Sequence, residues 1–64
     1  MNRPRNILFF ANTNHNADCV AEHISGVKAD SKHNWFVVNV LKNRMAHKLN
    51  LNHFDAIGFH YSIH

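Results

Sequence analysis

Cysteine occurs once, at Cys19, so no disulfide can form within the chain, and zinc sites built on paired cysteines are excluded with it. Glycine occurs twice, at Gly26 and Gly58, and neither G-x-G-x-x-G nor G-x-x-x-x-G-K-[ST] is present. The dinucleotide and P-loop fingerprints are therefore missing. Carboxylates are also scarce. Asp18 and Glu22 share a helix face and read as solvated, and Asp55 reads as a turn former, so no pair is set up for general acid–base work. Long apolar runs are absent too: Ile7–Ala11 is five residues, too short for a signal h-region or a membrane span. One thiol and no signal-peptide pattern lead to the expectation of a cytoplasmic protein.

What is present is globular in character. Hydrophobic residues make up 45% of the 64 residues, well above the level of a disordered tail. A domain of this size buries only about 60% of the surface its unfolded chain exposes, so its stability is marginal and a partner copy would help it. Net charge is +3, but Arg3, Arg5, Lys28, Lys32, Lys42, Arg44 and Lys48 are scattered, with no block of five. Nucleic acid is therefore not expected as a partner. Only Lys42–Lys48, which also holds Arg44 and His47, makes a modest basic patch, suited to acidic lipid headgroups or a phosphorylated ligand.

Four elements can be read along the chain. Ile7-Leu8-Phe9-Phe10-Ala11 is a continuous run, the habit of a strand buried on both faces in a parallel sheet, and predicts a strand over about 6–11. Turn and cap formers Asn12 to Asn16 follow. Ala17, Val20, Ala21, Ile24 and Val27 then recur at spacings of three and four, predicting a helix over about 16–29. Asn14 or Asn16 would cap it, with Asp18 and Glu22 early and Lys28 late, as the helix dipole prefers. Gly26 weakens its end, and Asp30–Asn34 reads as loop. A second strand is expected over about 34–40, from Trp35-Phe36-Val37-Val38-Asn39-Val40, and a third over about 55–62, where Gly58 marks a close approach. Between them, Met45 and Leu49 at a spacing of four allow a short helical turn.

Two crossovers of this kind place the first strand in the middle. The expected fold is α/β: a Rossmann-like, incomplete single domain over 1–64, with a three-stranded parallel sheet in the order 2-1-3. Ligands in such sheets bind beyond the carboxyl ends of the strands where the winding reverses, here between the first and third strands. That crevice would be bordered by Asn12, Thr13, Asn14, His15 and Asn16 on one side and His60, Tyr61 and Ser62 on the other, with free helix N–H groups favouring an anionic or hydroxyl-rich ligand. Seven histidines raise the question of a metal, but no H-x-x-x-H falls on the helix, and His60 and His64 on one strand would lie about 13 Å apart. No metal ligand is assigned. Cys19, expected in the first helical turn with His15 and His23 four residues to either side, reads as a half-buried thiol rather than a nucleophile.

The residues also carry a resemblance. Arg5-Asn6-Ile7-Leu8-Phe9-Phe10 with its Asn-rich loop, Ser31-Lys32-His33-Asn34 leading into Trp35-Phe36-Val37-Val38-Asn39, and Phe54-Asp55-Ala56-Ile57-Gly58-Phe59-His60-Tyr61-Ser62 resemble the N-terminal domain of GT-B-fold glycosyltransferases of bacterial surface-polysaccharide type. The resemblance spans most of the chain. It implies an acceptor-side, N-terminal portion of an enzyme that transfers a sugar from a nucleotide-sugar donor to a glycan or lipid-linked acceptor. Asn14, His15 and His60 would border the acceptor cleft. The donor-binding residues of that family have no counterparts here, so no catalytic residue and no cofactor is assigned to this chain, and the fragment alone would be inactive. Peripheral membrane association would then be a property of the parent protein, and homo-oligomers could form through exposed sheet edges.

Two other readings stand beside it. Asn12-Thr13-Asn14-His15-Asn16-Ala17 followed by Val20-Ala21-Glu22-His23-Ile24 resembles the phosphate loop and first helix of flavodoxins, implying an FMN-binding protein, although the loop has only Thr13 as a hydroxyl and no Gly. A small, non-enzymatic interaction module that completes its sheet by dimerising would account for the length equally well.

Overall fold

A computed structural model of the chain describes residues 3–28 and 32–62. Three strands, β1 (Asn6–Ala11), β2 (Asn34–Asn39) and β3 (Ala56–His60), form one parallel sheet in the order β2-β1-β3. The helix α1 (Asn14–Lys28) joins β1 to β2, and an irregular arm joins β2 to β3. The fold class and strand order expected from the sequence are those of the structure.

Why β1 is central follows from its composition. It is apolar at five consecutive positions, so either face can be buried, and both neighbours pair with it in parallel register: Phe10 lies between Val38 and Phe59, and Ala11 between Asn39 and His60. Side chains alternate along the strands, so Leu8 and Phe10 face one side with Phe36, Val38, Ile57 and Phe59, while Ile7, Phe9 and Ala11 face the other with Trp35, Val37 and Gly58. The first side is covered by the arm: Leu8, fully buried, clusters with Phe10 and Ala46, and with half-buried Val38, Val40 and Phe54. The other side lies under α1, whose first residue meets Asn39 through the Asn39 Nδ2 to Asn14 Oδ1 bond of 2.7 Å. Crossovers on opposite faces are what a chain must make when it winds first one way and then the other from a central strand.

Several boundaries differ from expectation, each for a local reason. α1 begins at Asn14 rather than near residue 16, because the cap is Thr13: its Oγ1 accepts from the Asn16 N–H at 3.0 Å. Asn14 and Asn16, expected as caps, lie inside the first turn instead, and both side chains bond to other elements. The early start also leaves no acidic residue in the first turn and moves Cys19 into the second turn, past the free N–H groups. Lys28 does sit in the last turn, and Gly26, with open space around it, does not end the helix. Residue 29 and the Asp30–Ser31 part of the expected loop lie outside the described residues, as does His64.

The apolar stripe on α1 is narrower than its spacing implied. Val20 is buried and Ala17 and Ile24 are half-buried, but Ala21 is exposed and Val27 is 48% exposed. The helix therefore covers the sheet with its first half and overhangs with its second. In the arm, the turn foreseen around Met45 and Leu49 is the 3-10 helix Ala46–Lys48, followed by a second, Leu51–His53, capped by the Asn50 side chain. β3 is shorter than 55–62. Asp55 is held outside the ladder, where its Oδ2 accepts from the Asn6 N–H at 2.8 Å, and Ser62 is claimed by a side chain described below.

Candidate functional site

At the carboxyl ends of β1 and β3, the predicted crevice is spanned by an amide clasp. Asn12 turns its side chain along the sheet edge: Nδ2 donates to the Ser62 carbonyl at 3.0 Å, and Oδ1 accepts from the Ser62 N–H at 2.9 Å. A carboxamide has the same donor and acceptor as a peptide, so Asn12 continues the ladder for one more step where the two backbones diverge. Asn16 closes the arrangement from α1. Only 6% exposed, it donates from Nδ2 to the Ser62 Oγ at 2.7 Å and to Asn12 Oδ1 at 3.3 Å. A buried amide without partners would cost about 1–3 kcal/mol, and here the two partners come from the segments that follow β1 and β3.

A second polar group lies at the β2 side. Asn39 ends its strand, donates to Asn14, and accepts the Leu41 N–H at 3.0 Å. The row Asn39–Ala11–His60 crosses the sheet just beneath the start of α1, and Ala11 in its centre has no exposed surface. Asn14, bonded to Asn39 at one end of this row, and His60 at its other end are both exposed. His15 is exposed as well, but its Nε2 lies 3.5 Å from Cys19 Sγ one helical turn on. Among the described residues no hydrogen bond joins Asn14, His15 and His60 to one another. The structure thus keeps Asn14 and His60 at the same end of the sheet and directs His15 along the helix.

The sequence places Asn12, Asn16 and Ser62 at this crevice without assigning them a contact, and it leaves Asn39 unmarked. Asn12 and Asn16 are four apart across the strand–helix junction, a spacing that could have paired them. Asn39 is the single polar residue in the run Trp35–Val40. Nothing local pairs Ser62 with these amides, because its partners are 50 and 46 residues away.

The opposite end of the sheet is also tied, without facing a crevice. The Asn6 amide donates to the His53 carbonyl and accepts from Asn34 Nδ2, both at 3.0 Å, and the Arg5 N–H donates to His33 Nδ1 at 3.1 Å. Among the described residues no three His, Cys, Asp or Glu side chains gather as a metal site, and no helix is long and apolar enough to cross a membrane.

No family model, no curated protein and no solved structure matches the chain.

Proposed function

We propose that the chain forms the acceptor-side opening of a glycosyltransferase, the part of a Rossmann-like domain that positions a hydroxyl-rich glycan or lipid-linked acceptor while a nucleotide-sugar donor is held by a separate domain. The observation that carries this reading is the neutral amide and hydroxyl lining of the winding-reversal end. Asn12, Asn16 and Ser62 bond one another and hold this end in shape, and Asn14 and Asn39 at its margin bring carboxamides, groups that both donate and accept, as sugar hydroxyls require. Asn14 and His60 are the exposed residues flanking this end and would touch the acceptor; His15 would line its approach from the helix.

Two further features support a larger assembly. β3 pairs on one side only, and so does β2, so the sheet has two edges that other elements would cover. A flavodoxin-like reading is less well served. The loop between β1 and α1 is two residues, Asn12 and Thr13, and the Thr13 hydroxyl is engaged by the Asn16 N–H, so little backbone is available to wrap a flavin phosphate.

The test is amide-resolved NMR of the full chain titrated with neutral oligosaccharides and, separately, with nucleotide sugars. Shifts confined to Asn14, His60 and their neighbours with saccharide, and none with nucleotide sugar, are expected. Shifts with FMN, or no shift at this end with any saccharide, would overturn the reading.

A further inference from the structure

The other face of the sheet holds a feature that the acceptor reading does not use. Where the arm crosses β1 and β3, an open cleft of about 400 Å³ is lined by Phe10, Val40, Ala46, Leu49, Leu51, Phe59 and Tyr61, with Arg44 and His47 at its polar margin. That volume is in the range of small-ligand sites, which run from about 300 to 1,000 Å³. Its walls are unusually open for side chains of this type: Phe59 is 66% exposed, Tyr61 48%, Leu51 45% and Leu49 39%. Leaving such area in water forgoes about 25 cal/mol per Å².

Charge narrows the choice of occupant. The arm from Leu41 to His53 contains Lys42, Arg44, Lys48, His47 and His53 and no carboxylate. Among the described residues nothing pairs with the Arg44 guanidinium. A second copy docked by the same face would set these cations against their own images. Among the described residues the chain offers itself no complement, since Asp18 and Glu22 lie on α1 across the sheet and Asp55 is bonded to Asn6. A concave aliphatic and aromatic trough with one cationic margin fits a single alkyl chain ending in an anion.

We infer that this cleft is a binding site for a monomeric long-chain alkyl carboxylate, its chain lying along Val40, Leu49, Leu51 and Phe59 and its head group meeting Arg44. The site is independent of the Asn12–Ser62 end, so either reading can fail without the other.

The test uses the full chain and dansylaminoundecanoic acid, whose emission rises on entering an apolar site, with dodecanoate as competitor below its micellar concentration. Saturable one-to-one binding is expected, with dodecanoate displacing the dye and dodecanol competing about fivefold more weakly for want of the charge. Arg44→Gln should weaken dodecanoate by a similar factor, and Arg44→Lys should restore most of it. Leu49→Asn should weaken it about tenfold. Arg44 and Leu49 are exposed, and an unchanged circular dichroism spectrum verifies each variant's fold. Dodecanol binding as tightly as dodecanoate overturns the inference. So does displacement by a nucleotide phosphate lacking an alkyl chain, binding to phosphatidylglycerol vesicles without binding monomeric dodecanoate, self-association that blocks the dye, or no saturable binding at all.

Discussion

The two faces of this three-stranded sheet are finished in different ways. Beneath α1, one regular element supplies its own backbone hydrogen bonds, and the polar residues at its start are tied to β1, β2 and the end of β3 by side-chain amides. Beneath the arm, the cover is two single-turn 3-10 helices and extended links. There the centre is dry, with Leu8 fully buried, but the flank over β3 stays open. The contrast separates two tasks. A helix can cover the middle of a sheet and leave a polar rim at the strand ends, whereas an irregular arm of sixteen residues, 40–55, reaches the middle and leaves a trough beside it. The proposed polar recognition uses the first arrangement and the proposed apolar binding the second.

The sharpest way to break this contrast is at its shared centre. Leu8→Ala removes the fully buried side chain on the arm side and should cost about 3 kcal/mol. A 64-residue domain has only about 3–10 kcal/mol in total, so the variant should be largely unfolded by circular dichroism or show a collapsed urea midpoint. Retention of a wild-type midpoint would mean the arm does not seal the core.

Next comes the amide clasp on the α1 side. Asn12→Ala strands the Ser62 N–H and carbonyl and removes an acceptor from Asn16, and about 2 kcal/mol should be lost in urea titration. Hydrogen exchange at Ser62 should accelerate in the same variant. Protection unchanged there would show that the clasp is not closed in solution.

Gly58→Ala tests the packing of the same face from β3. A Cβ at Gly58 would fall on the Phe9 ring, which stacks on Trp35 with centroids 6.2 Å apart and so cannot swing away freely. A loss of about 1–3 kcal/mol is expected, with part of it recovered in the double variant Gly58→Ala/Phe9→Leu. Additive losses in that cycle would separate the two positions.

Smaller effects sharpen the comparison further. Thr13→Ala should cost about 1 kcal/mol through the lost cap, read as a lower melting midpoint and frayed helix signals in NMR. Phe59→Ser, on the open flank, should cost no more than about 1 kcal/mol, the worth of its stack on Phe10 at 5.4 Å, despite the size of the residue. If Phe59→Ser proved as damaging as Leu8→Ala, the flank would be core and the trough would be closed in solution.

The architecture was legible because it rests on local signals. A five-residue apolar run can hardly be anything but a two-sided strand, the 3.6-residue stripe marks the helix, and parallel pairing with short connections leaves the first strand in the centre. Gly58 announced the close approach of Phe9 through its missing side chain. The candidate site was only half legible. Asn14 and His60 do lie together at the winding reversal, but the residues that hold that end closed, Asn12, Asn16 and Ser62, find each other across 46 to 50 residues of chain, and His15 goes to Cys19 instead.

By itself, then, the sequence determined the fold class, the strand order and the sign of the charge on the arm, since each follows from residue type at short range. Only the tertiary structure decided which asparagine caps, which pairs with a backbone and which is buried. An amide can serve in all three ways, and the choice depends on the donor or acceptor that folding brings within about 3 Å. It likewise decided that the second face would keep a trough, because whether an apolar side chain ends up covered depends on the path of the chain above it and not on its own chemistry.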